Sequence, residues 1–157
     1  MKILALFVCL LVIPLAFFSL PEPQSGASAN LIDLSGEGTY EVFPGKTWQF
    51  FGPVRSLSIG DGQRLLGSAA AVLGTNQGST RAAIAICFQR AASDPIVPLV
   101  GDNHLNVTID PFQRSHSVHA AVSLPRGTYN VGFCVVNLGK EIIGNNNYVN
   151  GWVLISD

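Results

Sequence analysis

The chain has 157 residues, 48% of them apolar and 12% charged, with nine basic and ten acidic side chains for a formal net charge of −1. That balance excludes a nucleic-acid partner held by a basic patch, and no run of like charges marks a solvated tail. The length suits one domain around one core.

The chain opens with one cation, Lys2, followed by an uncharged run from Ile3 to Leu20 and the small residues Ala27-Ser28-Ala29. A short basic start, an apolar stretch and a small-residue exit are the features of a secretory signal. The competing reading is an uncleaved anchor, since a bilayer-spanning helix needs about 20 apolar residues. Pro14 inside the run and the triplet after it favour cleavage before Asn30. Residues 1–29 are therefore expected to be a signal peptide and residues 30–157 a single exported domain, extracellular or periplasmic, with no membrane attachment once the signal is cut. Lys2 and Glu22 leave with the signal, so nine basic and ten acidic residues become eight and nine, and the charge stays at −1. So small a charge leaves room for a homo-oligomer.

From Asn30 onward, short apolar stretches alternate with glycine, proline and asparagine clusters. Strands are expected at 31–34, 39–43, 47–51, 54–59, 81–89, 96–100, 104–109, 116–124, 128–137 and 148–156. Turn signals such as Pro44-Gly45, Gly60-Asp61-Gly62, Pro125-Arg126-Gly127 and Gly144-Asn145-Asn146-Asn147 separate them. This rhythm predicts an all-β fold, an antiparallel β-sandwich of jelly-roll or immunoglobulin-like layout. RLLGSAAAVLG, 64–74, is ambiguous: Leu65, Leu66, Ala69, Val72 and Leu73 fall at helical spacing, whereas a strand puts Leu66, Ala70 and Val72 on one face. Gly67 and Ser68 weaken the helix and the alanines weaken the strand; strand is preferred.

Cys9 lies in the signal run, which leaves Cys87 and Cys134 for the mature chain. Two cysteines in an exported domain are expected to form a disulfide, stabilising the fold by roughly 4 kcal/mol in the chain-entropy picture. In RAAIAICFQ, 81–89, Ile84, Ile86 and Phe88 share one face, and Ala83, Ala85 and Cys87 share the other. In GTYNVGFCVVN, 127–137, Tyr129, Val131, Phe133 and Val135 share a face opposite Asn130, Gly132 and Cys134. With the bulky sets facing the core, the cystine is expected on the opposite surface, joining neighbouring strands of one sheet. A bridge between sheets through the core would instead turn Ile86, Phe88, Tyr129 and Phe133 outwards.

Three histidines are available for chemistry: His104, His116 and His119. On a strand His116 and His119 point to opposite faces, and no further ligands stand at a recognisable spacing, so no metal or other cofactor is expected. Asp102, His104 and Ser115 or Ser117 supply the residue types of a triad without a G-x-S-x-G elbow. Most carboxylates sit beside glycine or proline in turns, no D-x-D-x-D-G pattern organises the loop oxygens for calcium, and GTNQGST lacks the lysine of a phosphate loop. A hairpin pairing Ile109 with His116 would align His104, Asn106, Thr108, Ser117 and His119 on one polar face. There they are candidates for hydrogen-bonding a sugar or peptide, set against an ordinary wet face. Asn106-Val107-Thr108 is also a glycosylation sequon. Tyr148, Asn150 and Trp152, on one face of the final strand, form a second candidate contact for a ligand.

LPRGTYNVGF, 124–133, resembles in its turn-then-strand rhythm a segment near the end of jelly-roll trimer heads such as those of the complement and tumour-necrosis-factor groups. The likeness covers about ten residues of general β grammar and implies no site. The expectation is a secreted, non-catalytic binding or structural module for an extracellular glycan, protein or surface. The rival expectations are a small secreted hydrolase using His104 or His119, and a self-assembling structural protein.

Overall fold

The computed structural model describes residues 29–157 apart from Tyr40, Asp102 and Asn103, so the expected signal segment lies outside the described residues except for Ala29. Along the chain run β1 (Asn30–Asp33), β2 (Gly36–Glu37), β3 (Gln49–Ile59), β4 (Arg64–Leu73), β5 (Thr80–Gln89), β6 (Val97–Pro98), β7 (Leu105–Ile109), β8 (Arg114–Ser123), β9 (Gly127–Asn137) and β10 (Tyr148–Ser156). One sheet has the order β1-β10-β4-β8, with β2 also on β10; the other has β3-β9-β5, with β6 and β7 sharing the far edge of β5. Every strand pairing is antiparallel. The chain changes sheet from β2 to β3, β3 to β4, β4 to β5, β7 to β8, β8 to β9 and β9 to β10. Of the two layouts expected, this is the jelly roll.

Period-two burial builds the core between the sheets. Ile84 and Ile86 of β5 and Tyr129, Val131, Phe133 and Val135 of β9 face Leu65, Ala69, Ala71 and Leu73 of β4 and Val149, Val153 and Ile155 of β10. Phe51 and Phe133 meet edge to face with centroids 6.1 Å apart. The ambiguous segment is a strand because β10 and β8 pair with both of its edges, a tertiary context that overrides its alanines. Its glycine has a packing reason: a Cβ on Gly67 would lie 2.8 Å from Val153 and 3.0 Å from Ile86.

Three expectations are corrected. The strands at 47–51 and 54–59 are one strand, β3, whose register with β9 jumps from Phe50↔Cys134 to Val54↔Gly132 across a bulge containing Gly52 at φ 94°. The strand expected at 39–43 is reduced to an isolated Val42↔Ile143 bridge. The Ile109–His116 hairpin does not form. β7 pairs with β5, Ile109 opposite Thr80, while β8 pairs with β4 in the other sheet. The connection between them is tied elsewhere: Asp110 O accepts from Thr75 N (3.0 Å), Asp110 Oδ1 from Phe112 N (3.0 Å) and Pro111 O from Asn145 Nδ2 (3.0 Å). These bonds carry the chain across the sandwich instead of reversing it within one sheet.

The disulfide joins Cys87 and Cys134 with Cα atoms 5.7 Å apart, on neighbouring strands and on the face turned away from the main core. That face is covered, however: both cysteines are fully buried with Ala85 beneath Trp48, Phe50 and Ile96. Asn137, at the end of β9, is a second buried fixture. Its Nδ2 donates to Val42 O (3.0 Å) and Glu141 O (2.7 Å), and its Oδ1 accepts from Thr80 Oγ1 (2.9 Å) and Gly139 N (3.2 Å). Tyr129 closes the β8–β9 corner by donating its hydroxyl to Pro125 O at 2.7 Å, a tyrosine-corner contact.

Candidate binding face

Among the described residues, the sheet of β1, β10, β4 and β8 has an outer face without a second layer. Cross-strand register assembles it row by row, because partners in an antiparallel pair project on the same side. Asp33, Trp152, Ser68 and His119 form one row across all four strands. Asn150, Ala70 and Ser117 form the row on one side of it, and Leu31, Leu154, Leu66 and Ala121 the row on the other. Tyr148 stands beyond Asn150, opposite Glu37 of β2. Adjacent strands lie about 4.8 Å apart, so Trp152 and His119 flank Ser68 at a separation of about 10 Å.

The short side chains of β4 make the middle of this face low. Trp152, 41% exposed, rises on one flank, and Val100, from the turn after β6, rises at the β8 edge. Between them lies a shallow apolar trough of about 510 Å³ whose floor includes Leu66, Ser68, Ala121 and His119. A slot of about 180 Å³ opens from the β8 edge toward Ile84 and Ile86 between the sheets, and it shares Val100, His119 and Ala120 with the trough.

The polar groups on the face are partly preset. Ser35 Oγ donates to Asn150 Oδ1 at 3.1 Å and accepts from Gly151 N at 3.2 Å, which orients the Asn150 amide. Bonds from the Ser35 hydroxyl and backbone N–H, with a smaller contribution from the Arg55 guanidinium, hold the Asp33 carboxyl below its ordinary range. The row beside Trp152 therefore ends in a fixed negative charge.

Two sequence candidates thought to be separate thus converge: Ser117 and His119 of β8 share one face with Tyr148, Asn150 and Trp152 of β10. The other half of the expected polar stripe goes elsewhere. Asn106 and Thr108 pair with Ala83 and Arg81 on the outer side of the cystine sheet. His104 packs there edge-on against Trp48, with ring centroids 5.4 Å apart and planes at 73°. His104, Ser117 and His119 nevertheless all line the slot between the sheets. His116 lies on the inner face opposite Ala71, where burial pushes its imidazole below the ordinary value, Arg114 pushes the same way, and Asp110 partly opposes both.

Sequence reasoning missed Ser68, Val100 and Ser35. Ser68 lies in the stretch whose secondary structure was ambiguous, and Ser35 and Val100 reach the face through connections whose course no local pattern encodes. The asparagine run is structural in part: Asn145 bonds Pro111 O and Gln113, and Asn146 Nδ2 donates to Ile143 O and Thr39 O. Among the described residues no group of three or more His, Cys, Asp or Glu stands where it could hold a metal ion. The chain matches no protein-family model and no curated protein.

Proposed function

We propose that the protein is an exported, non-catalytic module that binds a glycan across the open sheet. The observation that carries the reading is the register that lines up Trp152, Ser68 and His119 and, one row over, Asn150, Ala70 and Ser117. An exposed indole beside a low floor and a rim of amide, hydroxyl and imidazole groups complements a sugar, whose C–H face stacks on an aromatic ring while its hydroxyls need partners. The signal-like start and the Cys87–Cys134 bridge support export, since disulfides persist in oxidising compartments.

The test is a glycan array followed by calorimetry on the best ligand. Affinity that falls about fivefold or more in Trp152→Ala, and falls also in Asn150→Ala and Ser117→Ala, supports the reading. Silence across the array, or binding indifferent to Trp152, overturns it. The hydrolase reading draws on His104 and His119 at one slot. It needs an acid there: Asp102, the acid of the expected triad, lies outside the described residues, and among those described no carboxylate lines the slot; turnover of ester, peptide or glycoside substrates lost in His119→Ala would establish it instead.

A further inference from the structure

We propose that the protein pairs with a second copy of itself through β8, the two strands joining antiparallel about a two-fold axis at Val118. The idea rests on a sheet edge and is independent of what the open face binds. β8 closes the open sheet on one side, and among the described residues its backbone ladder is made with β4 alone. An unpaired edge is a template for another strand unless proline, a bulge, charge or short length blunts it.

The other edges carry such guards. β3 has the Gly52-Pro53 bulge and Arg55; β1 has four residues, β6 two and β7 five. β8 has ten residues in unbroken register with β4, without proline or glycine. Its one arginine, lysine or carboxylate is Arg114 at its first position, held by Asp110 at 3.1 Å.

The strand is also complementary to itself. Antiparallel partners must share a face, so the two-fold axis falls on a residue rather than between two. A centre at His119 would set two imidazoles directly opposite each other. A centre at Val118 pairs Arg114 with Val122 and Ser115 with Ala121 of the second copy, and gives each His119 the second copy's Ser117 as a hydrogen-bonding neighbour. At about 3.3 Å per residue the two Arg114 side chains then stand about 26 Å apart, well beyond the screening length of about 8 Å, so no like charges meet.

Below the seam lies the slot where Leu105, 46% exposed, stands with Val100 and Val118. The same apolar groups from both copies would close over each other under the joined sheet, giving the contact a dry centre. Pairing would also merge the two open faces into one surface, with the Trp152 rings about 24 Å apart across five strand spacings. If the open face binds a glycan, that spacing suits a repeating ligand engaged at two points.

Sedimentation equilibrium of the purified protein should show a mass rising toward twice that of the chain through the micromolar range. Leu105→Lys, a change at an exposed position, should weaken association by about tenfold or more. Mild oxidation of a Ser117→Cys/His119→Cys variant should give a reducible covalent dimer in high yield, with little from Ser56→Cys/Ser58→Cys on β3. A monomer at high concentration overturns the proposal, as does a dimer indifferent to Leu105→Lys. Equal cross-linking through β3 overturns it too, and efficient cross-linking of His119→Cys alone overturns the Val118-centred register.

Discussion

The two outer faces of the sandwich start from the same kind of sequence and end differently. Both present small side chains: Ala83, Ala85 and Cys87 on β5, and Ser68, Ala70 and Ser117 on β4 and β8. On the cystine sheet Ala85 and Cys87, with Cys134, lie under Trp48, Phe50 and Ile96 and become a second small core. On the open sheet no such cover arrives from the described residues, and Trp152 stands at the side of a trough instead of over it. Small residues on an outer face thus mark a place where something fits. Whether it is the protein's own chain or a ligand depends on segments far away in sequence.

The sharpest way to break this contrast is to remove the cystine. Cys87→Ala/Cys134→Ala should cost about 2–5 kcal/mol of unfolding free energy, because it frees the denatured chain and thins a packed layer. Ser68→Ala and Ser117→Ala on the open face should stay within about 0.5 kcal/mol. Denaturant unfolding of the four chains measures both. Comparable losses on the two faces would mean that the open face is also structural.

Next in size is Asn137→Ala, expected to cost about 2–4 kcal/mol by leaving the buried Thr80 hydroxyl and the Val42 and Glu141 carbonyls without their amide partner. Asn137 also binds the segment that leads to Trp48, through its side chain to Val42 O and its own carbonyl to Gly45 N at 2.9 Å. Its loss should therefore loosen the cover over the cystine, and the disulfide should be reduced faster by a given thiol than in the parent protein. Destabilisation without faster reduction would show that the cover is held by Trp48 and Phe50 alone.

What the sequence made legible follows period two closely. Alternation in 81–89 and 127–137 was enough to place Ile84, Ile86, Val131 and Phe133 inward and to join Cys87 to Cys134 on adjacent strands. It was not enough to show the cystine covered, because Trp48 and Ile96 approach from the segments that lead into β3 and β6. The hairpin between His104–Ile109 and His116–Leu124 failed for a related reason: turn residues Asp110 and Pro111 signal a change of direction but not the sheet that receives the next strand. Ser117 and His119 nevertheless share a face with Tyr148, Asn150 and Trp152, because alternation turns both sets outward and β4 joins β8 to β10.

Trp152→Ala separates stability from binding on the open face. With the indole 41% exposed, unfolding free energy should change by less than about 1 kcal/mol. Affinity for a stacked ligand should drop by about 1 kcal/mol, roughly fivefold or more, the worth of an aromatic contact. Trp48→Ala should show the reverse, a larger stability loss through the uncovered cystine. If both tryptophans behave alike, the faces do not differ in the way the packing implies.

The smallest effect expected concerns His116, a titratable group on the inner side of the open sheet. Burial, with Arg114 acting in the same direction and Asp110 against it, lowers its folded-state pKa below the ordinary 6.5. The unfolded chain therefore binds more protons than the folded one between that lowered value and 6.5, and stability rises with pH across this window. Above 6.5 the neutral imidazole costs nothing; as pH falls through the window stability is lost, and below the folded-state value the His116 contribution to the slope ends. His116→Gln keeps a polar side chain of similar reach and removes the titration. Its melting temperature should fall less than the parent's between about pH 7.5 and about pH 5.5. The acid loss attached to Asp33, whose pKa is lowered from 3.8, begins only as the pH falls toward 3.8 and does not enter this comparison. Equal acid sensitivity in the two proteins would place His116 in contact with water in the folded state, and with it would open the inner face of β8 that the sandwich keeps half closed.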